Sequence, residues 1–301
     1  EGDKFYLTLT NVGMVVRPDL FDPHTVHFHG FPQQAPVFDG MPEGSISINM
    51  GASITYYYNL VEPGTFMYHC HVEATEHMQM GMLGNLYVSP MQNGTALPDP
   101  DGSGRIQTVL GTHVHQNNLT KKDTYVYNDG DGSTYYDVEV PIQLGSFDPA
   151  FHDASMTVQP LPFADMKDKY AMMNGRGYPD TVNPNSLTPI PNPVTEPDPG
   201  KVSQKVSSRV TATSGQKVLL RLSNLSVTNF YTVTALGLPM KVVGTGAHIL
   251  RGPDGTDLYY DTSSVTLGGG EAADVIIDTA GISPGTYFLY TANLNYLSNN
   301  T

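Results

Sequence analysis

The sequence predicts an all-β protein folded as two sandwiches. Short segments rich in β-branched and aromatic residues alternate with period two, and 30 glycines and 23 prolines punctuate them. No stretch carries a helical apolar face over more than two turns. A length of 301 residues corresponds to about two domains at roughly 150 residues each.

Taken in order, residues 4–10, 53–60, 64–68 and 83–88 form a first group of expected strands. Residues 217–222, 231–236, 241–243, 264–267, 273–278 and 286–291 form a second, and both groups read as antiparallel. Residues 92–104 (QNGTALPDPDGSG) read as a linker, which puts a boundary near residue 100 and gives domains 1–100 and 101–301. Seven prolines in 174–201 predict an extended insertion within the second domain. The phrase P-G-T-[FY] recurs at 63–66 and 284–287, as two related sandwiches would produce. Tyr56, Tyr57 and Tyr58 are expected to serve strand packing.

The formal net charge of −14 disfavours a nucleic-acid partner and an anionic membrane surface. No apolar run approaches the ~18 residues of a bilayer span. The opening Glu1-Gly2-Asp3-Lys4 lacks a basic-then-apolar leader pattern. One cysteine excludes an intrachain disulfide. Acceptor patterns for N-glycosylation occur at Asn93, Asn118, Asn224 and Asn299.

Chemistry concentrates between residues 24 and 82, where six of the ten histidines fall with the single cysteine and a methionine-rich run. The first piece is His24-Thr25-Val26-His27-Phe28-His29-Gly30, and the second is His69-Cys70-His71, followed by His77 and Met82. Strand alternation turns His27 and His29 to one face and Phe28 to the other; it likewise sets His69 and His71 together, opposite Cys70. One face can thus offer four imidazoles to a metal and the other a thiolate. A thiolate, two imidazoles and a weak thioether make the ligand set of a blue-copper electron-transfer site, here Cys70, His24, His77 and Met82. Met78 and Met80 are expected to pack around it as adaptable filler. The carboxylates Glu73 and Glu76, just before His77, could draw a cationic reductant such as Fe(II), Cu(I) or Mn(II); the plainer reading is a solvated acidic loop.

At these residues the chain resembles the multicopper oxidase family, which includes laccases, metallo-oxidases and bilirubin oxidases. The phrases VHFHGFP, FDGMPEG, VEPGTFMYHCHV and HMQMGMLGNLYV carry the resemblance through most of residues 24–88. It implies two cupredoxin-like Greek-key β-sandwich domains. His24, Cys70, His77 and Met82 would bind type 1 copper. His27 (type 2) and His29, His69 and His71 (type 3) would be one domain's half of a trinuclear cluster. O₂ and a small reductant, a phenol or a metal ion, would be the substrates. Residues from about 104 onward resemble the copper-free middle domain through YAMMNGRGYPDT, KVLLRLSNLSVTNFYTV, LPMKVVGTGAHIL, TLGGGEAADVIID and PGTYFLYTANL.

The chain departs from the pattern in two ways. Six residues separate Cys70 from His77, a loop longer than in laccases and closer to copper nitrite reductases. Only half of the trinuclear histidine set is present. The other half is expected from a neighbouring copy or a further domain, with this chain then a piece of a longer oxidase. His113-Val114-His115 reads as a structural or surface pair, and His152 and His248 read as hydrogen-bonded histidines. Two alternatives stand beside the oxidase: a copper nitrite reductase with an interchain copper, and a non-catalytic blue-copper electron-transfer or assembly subunit. An extracytoplasmic location (periplasmic, cell-surface or secreted) suits copper and a disulfide-free acidic sandwich pair.

Overall fold

The computed structural model describes residues 1–13, 21–31, 35–93, 106–107, 113–114, 124–155, 157, 160–187 and 204–293. The expected boundary near residue 100 and the prolines from 189 to 199 lie outside the described residues, as do His115, Asn118 and Asn299.

The first sandwich uses strands β1 (Lys4–Thr10), β2 (His27–His29), β3 (Ser53–Asn59), β4 (Gly64–His69) and β5 (Leu83–Val88), with a short helix, α1 (Ala74–Gln79). β1 pairs antiparallel with β3, and β4 lies between β2 and β5. Between the two sheets, Val26, Phe28, Tyr56 and Tyr58 form a buried core with Phe5, Leu7, Tyr68 and Leu86 packed against it. Tyr56 and Tyr58 turn inward while Tyr57 lies outside beside Tyr6, the alternation a half-buried strand imposes.

The second sandwich opposes a mixed sheet to a three-stranded one. The larger sheet runs Tyr170–Met173, Val138–Phe147, Lys217–Asn224, Glu271–Asp278, Met240–Thr245 and His248–Ile249, with Tyr260–Thr262 also against Met240–Thr245. The smaller runs Ser264–Leu267, Tyr231–Leu236 and Phe288–Thr291. Ile142, Leu144, Leu220, Leu222, Val233, Val242 and Val275 fill the space between them. The architecture is the expected all-β pair of cupredoxin-like sandwiches, with one correction to its pairing: Val138–Phe147 and Lys217–Asn224 run parallel. Val138–Phe147 escapes the sequence pattern because Pro141 and Gly145 interrupt it. The structure tolerates Pro141 because only one neighbour pairs with the strand there; the other begins at Leu144.

Within 174–187 the insertion is held by one buried arginine. The Arg176 guanidinium donates to the carbonyls of Asp180, Asn183, Asn185 and Gln204, so side-chain bonds replace a sheet ladder.

Alternation along Lys217–Asn224 also builds the contact between the sandwiches. Val218, Leu220 and Leu222 face the core, whereas Arg221 faces the first domain. Arg221 Nε donates to Glu139 at 2.7 Å, and its Nη1 lies 3.3 Å from the Thr65 hydroxyl of β4 and 3.4 Å from Asp274. Thr65 and Tyr127 both donate to the Asp274 carboxylate, at 2.6 and 2.5 Å. Burial opposes the charge on Arg221, but Asp274 and Glu139 outweigh it and keep the guanidinium ionised.

Candidate metal centre

Two clusters form at one end of the first sandwich, joined by Cys70. The first contains His24, Cys70 and His77, whose ligand atoms lie within 4.8 Å of one another. His77 Nδ1 is 3.3 Å and His24 Nδ1 4.0 Å from Cys70 Sγ. Burial would push the thiol up; hydrogen bonds from His24, His77 and the Thr25 N–H reverse this and bring it down to about 6. The sulfur is therefore largely thiolate at neutral pH, the form that binds a soft metal.

The loop from Cys70 to His77 is not irregular. Glu73 takes a left-handed conformation (φ 45°), and α1 follows, carrying His77 in its last turn. The helix turns the longer loop back on itself, so His77 returns to Cys70. The backbone closes the arrangement: Cys70 N–H donates to Met82 O at 3.0 Å and Met82 N–H to His77 O at 2.9 Å. Met82 thus adjoins both ligands through its main chain, while its side chain is exposed.

The second cluster contains His27, His29 and His69, also within 4.8 Å of one another. β2 pairs with β4 so that His27 stands opposite His69. Each Nδ1 meets a carbonyl oxygen: Asp39 O at 2.6 Å for His27, Gly270 O at 3.2 Å for His29, and Cys70 O at 2.7 Å for His69. Carbonyls only accept, so each Nδ1 carries the proton and each Nε2 presents a lone pair. His29 Nε2 and His69 Nε2 lie 3.0 Å apart. Two lone pairs at that distance repel unless a cation lies between them, which is how the donor set fits a metal. Burial lowers His69 to about 4, and it lowers His29 as well, so both imidazoles stay neutral at neutral pH. The His71 ring lies beside this cluster, centred 5.1 Å from His27 and 5.5 Å from His69, but its ligand atoms are not among those that lie within 4.8 Å of one another.

Two family models described as multicopper oxidase match residues 7–93 and 153–301. The chain belongs to the multicopper oxidase family. Among solved structures, a blue copper oxidase from Nitrosomonas europaea is similar at 19% identity and a TM-score of 0.62, covering 97% of this chain and 67% of its own. A laccase from Botrytis aclada is similar at 18% identity and 0.58, over 96% of this chain and 41% of its own. A copper nitrite reductase from Nitrosomonas europaea is similar at 17% identity and 0.59, over 99% and 77%. No curated protein matches the chain. Multicopper oxidases bind copper at type 1, type 2 and type 3 sites, and both donor sets of this multicopper oxidase chain suit that metal.

Three of the remaining histidines lie among the described residues. His152 is buried, stacked on Phe147 at 4.6 Å, and bonds Gln79 at 3.0 Å. His248 is exposed on the short strand His248–Ile249, 3.2 Å from Glu62. His113 belongs to a two-residue strand paired with Ile106–Gln107. Met78 packs beside Met67, Leu225 and Ala272, whereas Met80 is exposed. Glu73 is exposed, whereas Glu76 is partly buried and its charge acts on His152. Asn224 is buried and its side chain holds Leu267 O and the Ser226 N–H, so that pattern is a structural turn and not an accessible acceptor.

Three residues at the centre were missed in the sequence. Asp22 lies 3.2 Å from His77 Nε2 and 3.7 Å from His24 Nε2, in ion-pair range of both without the alignment of a hydrogen bond. Gln79, two residues after His77, donates to Asp168 at 2.6 Å and accepts from the Asp148 N–H at 2.9 Å, tying α1 to the second domain. Gly270 supplies the carbonyl for His29. Asp22 and Gln79 each lie two residues from a ligand in the chain but have no ligand spacing of their own, whereas Gly270 is brought to His29 by folding.

Proposed function

We propose that this chain carries the copper-bearing part of an oxidase that takes single electrons from a small reductant and couples them to the reduction of O₂ to water. The supporting observation is Cys70, whose sulfur meets His24 and His77 while its carbonyl meets Nδ1 of His69. Copper bound at the two clusters would supply the one-electron chemistry. His24, Cys70, His77 and Met82 would hold type 1 copper, Met82 contributing a weak thioether. His27 is the type 2 ligand, and His29, His69 and His71 are type 3 ligands. Cys70 is bonded through the chain to both His69 and His71, so it both holds and conducts. The remaining cluster histidines come from a neighbouring copy or a further domain. The reductant, a phenol or a reduced metal ion, approaches near α1, where exposed Glu73 favours a cation. No described helix is long and apolar enough to cross a membrane, and we place the protein outside the cytoplasm.

Copper reconstitution tests this reading. An intense band near ~600 nm reports the thiolate-copper bond. About four coppers per chain, with O₂ uptake on adding a phenol or Fe(II), supports the oxidase; a single copper and no uptake supports an electron carrier instead. Similarity to a copper nitrite reductase favours a second reading. In it His29 and His69 share copper with a neighbour's histidine, and about two coppers per chain with nitrite consumption from an artificial donor would be found. His27, a third imidazole in the same group, weighs against it.

A further inference from the structure

Among the described residues, a hydrogen bond from the second sandwich reaches the histidine cluster. His29 is the histidine of the three whose Nδ1 partner comes from the other sandwich: the carbonyl of Gly270, 241 residues away in the chain. Its neighbours are oriented from within the first domain, by Asp39 O and Cys70 O. We propose that the glycine turn at residues 268–270 is a positioning element for His29, holding Nδ1–H on the Gly270 carbonyl so that Nε2 remains the ligand atom. This rests on the reading of His29 as a copper ligand.

The turn is built for close approach. A Cβ on Gly270 would sit 2.8 Å from His29 Cε1 and 3.1 Å from its Nδ1, and Gly270 has φ +86°. A Cβ on Gly269 would meet Ser226 O at 2.4 Å, and one on Gly268 would meet Phe230 Cε1 at 2.8 Å. Each of the three glycines therefore has its own steric reason. The turn is also fixed: Gly268 N–H donates to Glu271 Oε2 at 2.6 Å and Gly270 N–H to Asn224 O at 2.9 Å. Asn224 is buried and its side chain bonds Leu267 O at 2.8 Å, so the carbonyl is aimed by a rigid frame. Lateral aim depends in turn on how the domains dock through Thr65, Arg221 and Asp274. Outer partners of this kind orient the ring and set its tautomer, and their loss typically weakens metal binding by ~10–100-fold.

The test uses the full chain, metal-free, with ¹⁵N-labelled histidine. Long-range ¹H–¹⁵N spectra are expected to show His29 as the Nδ1–H tautomer. In Gly270→Ala that signal should give way to the Nε2–H form, and Cu(II) affinity at the histidine cluster should fall by ~10–100-fold. The blue band of Cys70 should persist and reports that the variant is folded. Gly255→Ala is the control: Gly255 has the same φ of +86° with nothing within 4 Å, so it adds backbone strain without touching His29. It should keep the wild-type tautomer and affinity. An Nε2–H tautomer in the wild-type chain overturns the proposal, a result that does not depend on any variant folding. So does a Gly270→Ala protein that matches Gly255→Ala in both measurements. A wild-type chain with the Nδ1–H tautomer, lost in Gly270→Ala, supports positioning even if the assembled protein consumes no O₂, which would instead sink the oxidase reading.

Discussion

The carbonyl oxygen of Cys70 lies 2.7 Å from Nδ1 of His69, so one residue serves both clusters. Its sulfur faces His24 and His77, and its backbone fixes the tautomer of a histidine in the neighbouring group. The two clusters are therefore separable in chemistry but not in position. Removing the sulfur should disable one while leaving the other's geometry intact.

Cys70→Ser tests that separation directly. The variant should lose the ~600 nm absorption of the thiolate-copper bond and keep copper at the histidine cluster, because the carbonyl is retained. Copper analysis and EPR spectra read both. Loss of all copper would show that the clusters do not load independently.

Met82→Leu should raise the reduction potential of the blue site, since replacing a thioether donor removes electron density from the metal. Protein-film voltammetry measures it. A lower or unchanged potential would remove Met82 from the ligand set.

Glu73→Ala together with Glu76→Ala should slow turnover of Fe(II) or Mn(II) and leave turnover of a neutral phenol unchanged. Glu73 is exposed and carries most of the expected effect. Turnover unchanged for both classes of reductant would reduce the pair to a solvated acidic surface.

Arg221→Met should destabilise the chain by about 3–5 kcal/mol, because it strips a fully buried carboxylate of its cation. Asp274 would keep only the Thr65 and Tyr127 hydroxyls. Urea denaturation gives the size of the loss. Because Arg221 also reaches Thr65 of the first domain, the two sandwiches should come apart at lower denaturant than in the wild-type protein.

How far the sequence could be read follows from the range of the interactions involved. Period-two alternation is local, so β1, β5, Tyr231–Leu236 and Ser264–Leu267 are found at the residues expected. Alternation also sorted Phe28 from His27 and His29, because the pleat alone decides which face a side chain takes. It failed at Val138–Phe147, where a proline breaks the pattern and pairing with Lys217–Asn224 restores the strand. α1 was hidden for a related reason: six residues are too few to show a helical period, and its ends are set by the return of His77 to Cys70.

At the centre itself, the ligand atoms were legible because His-x-His and His-Cys-His are written within a few residues. Their orientation was not. Asp22, Gln79 and Gly270 have no ligand-type spacing to mark their roles, and Gly270 is distant in the chain from the imidazole it meets. Residue types along a strand decide which donors are available. Which nitrogen each donor presents is decided by hydrogen bonds: Cys70 O for His69 and Asp39 O for His27 form within the first sandwich, whereas Gly270 O reaches His29 only once both sandwiches have folded and docked.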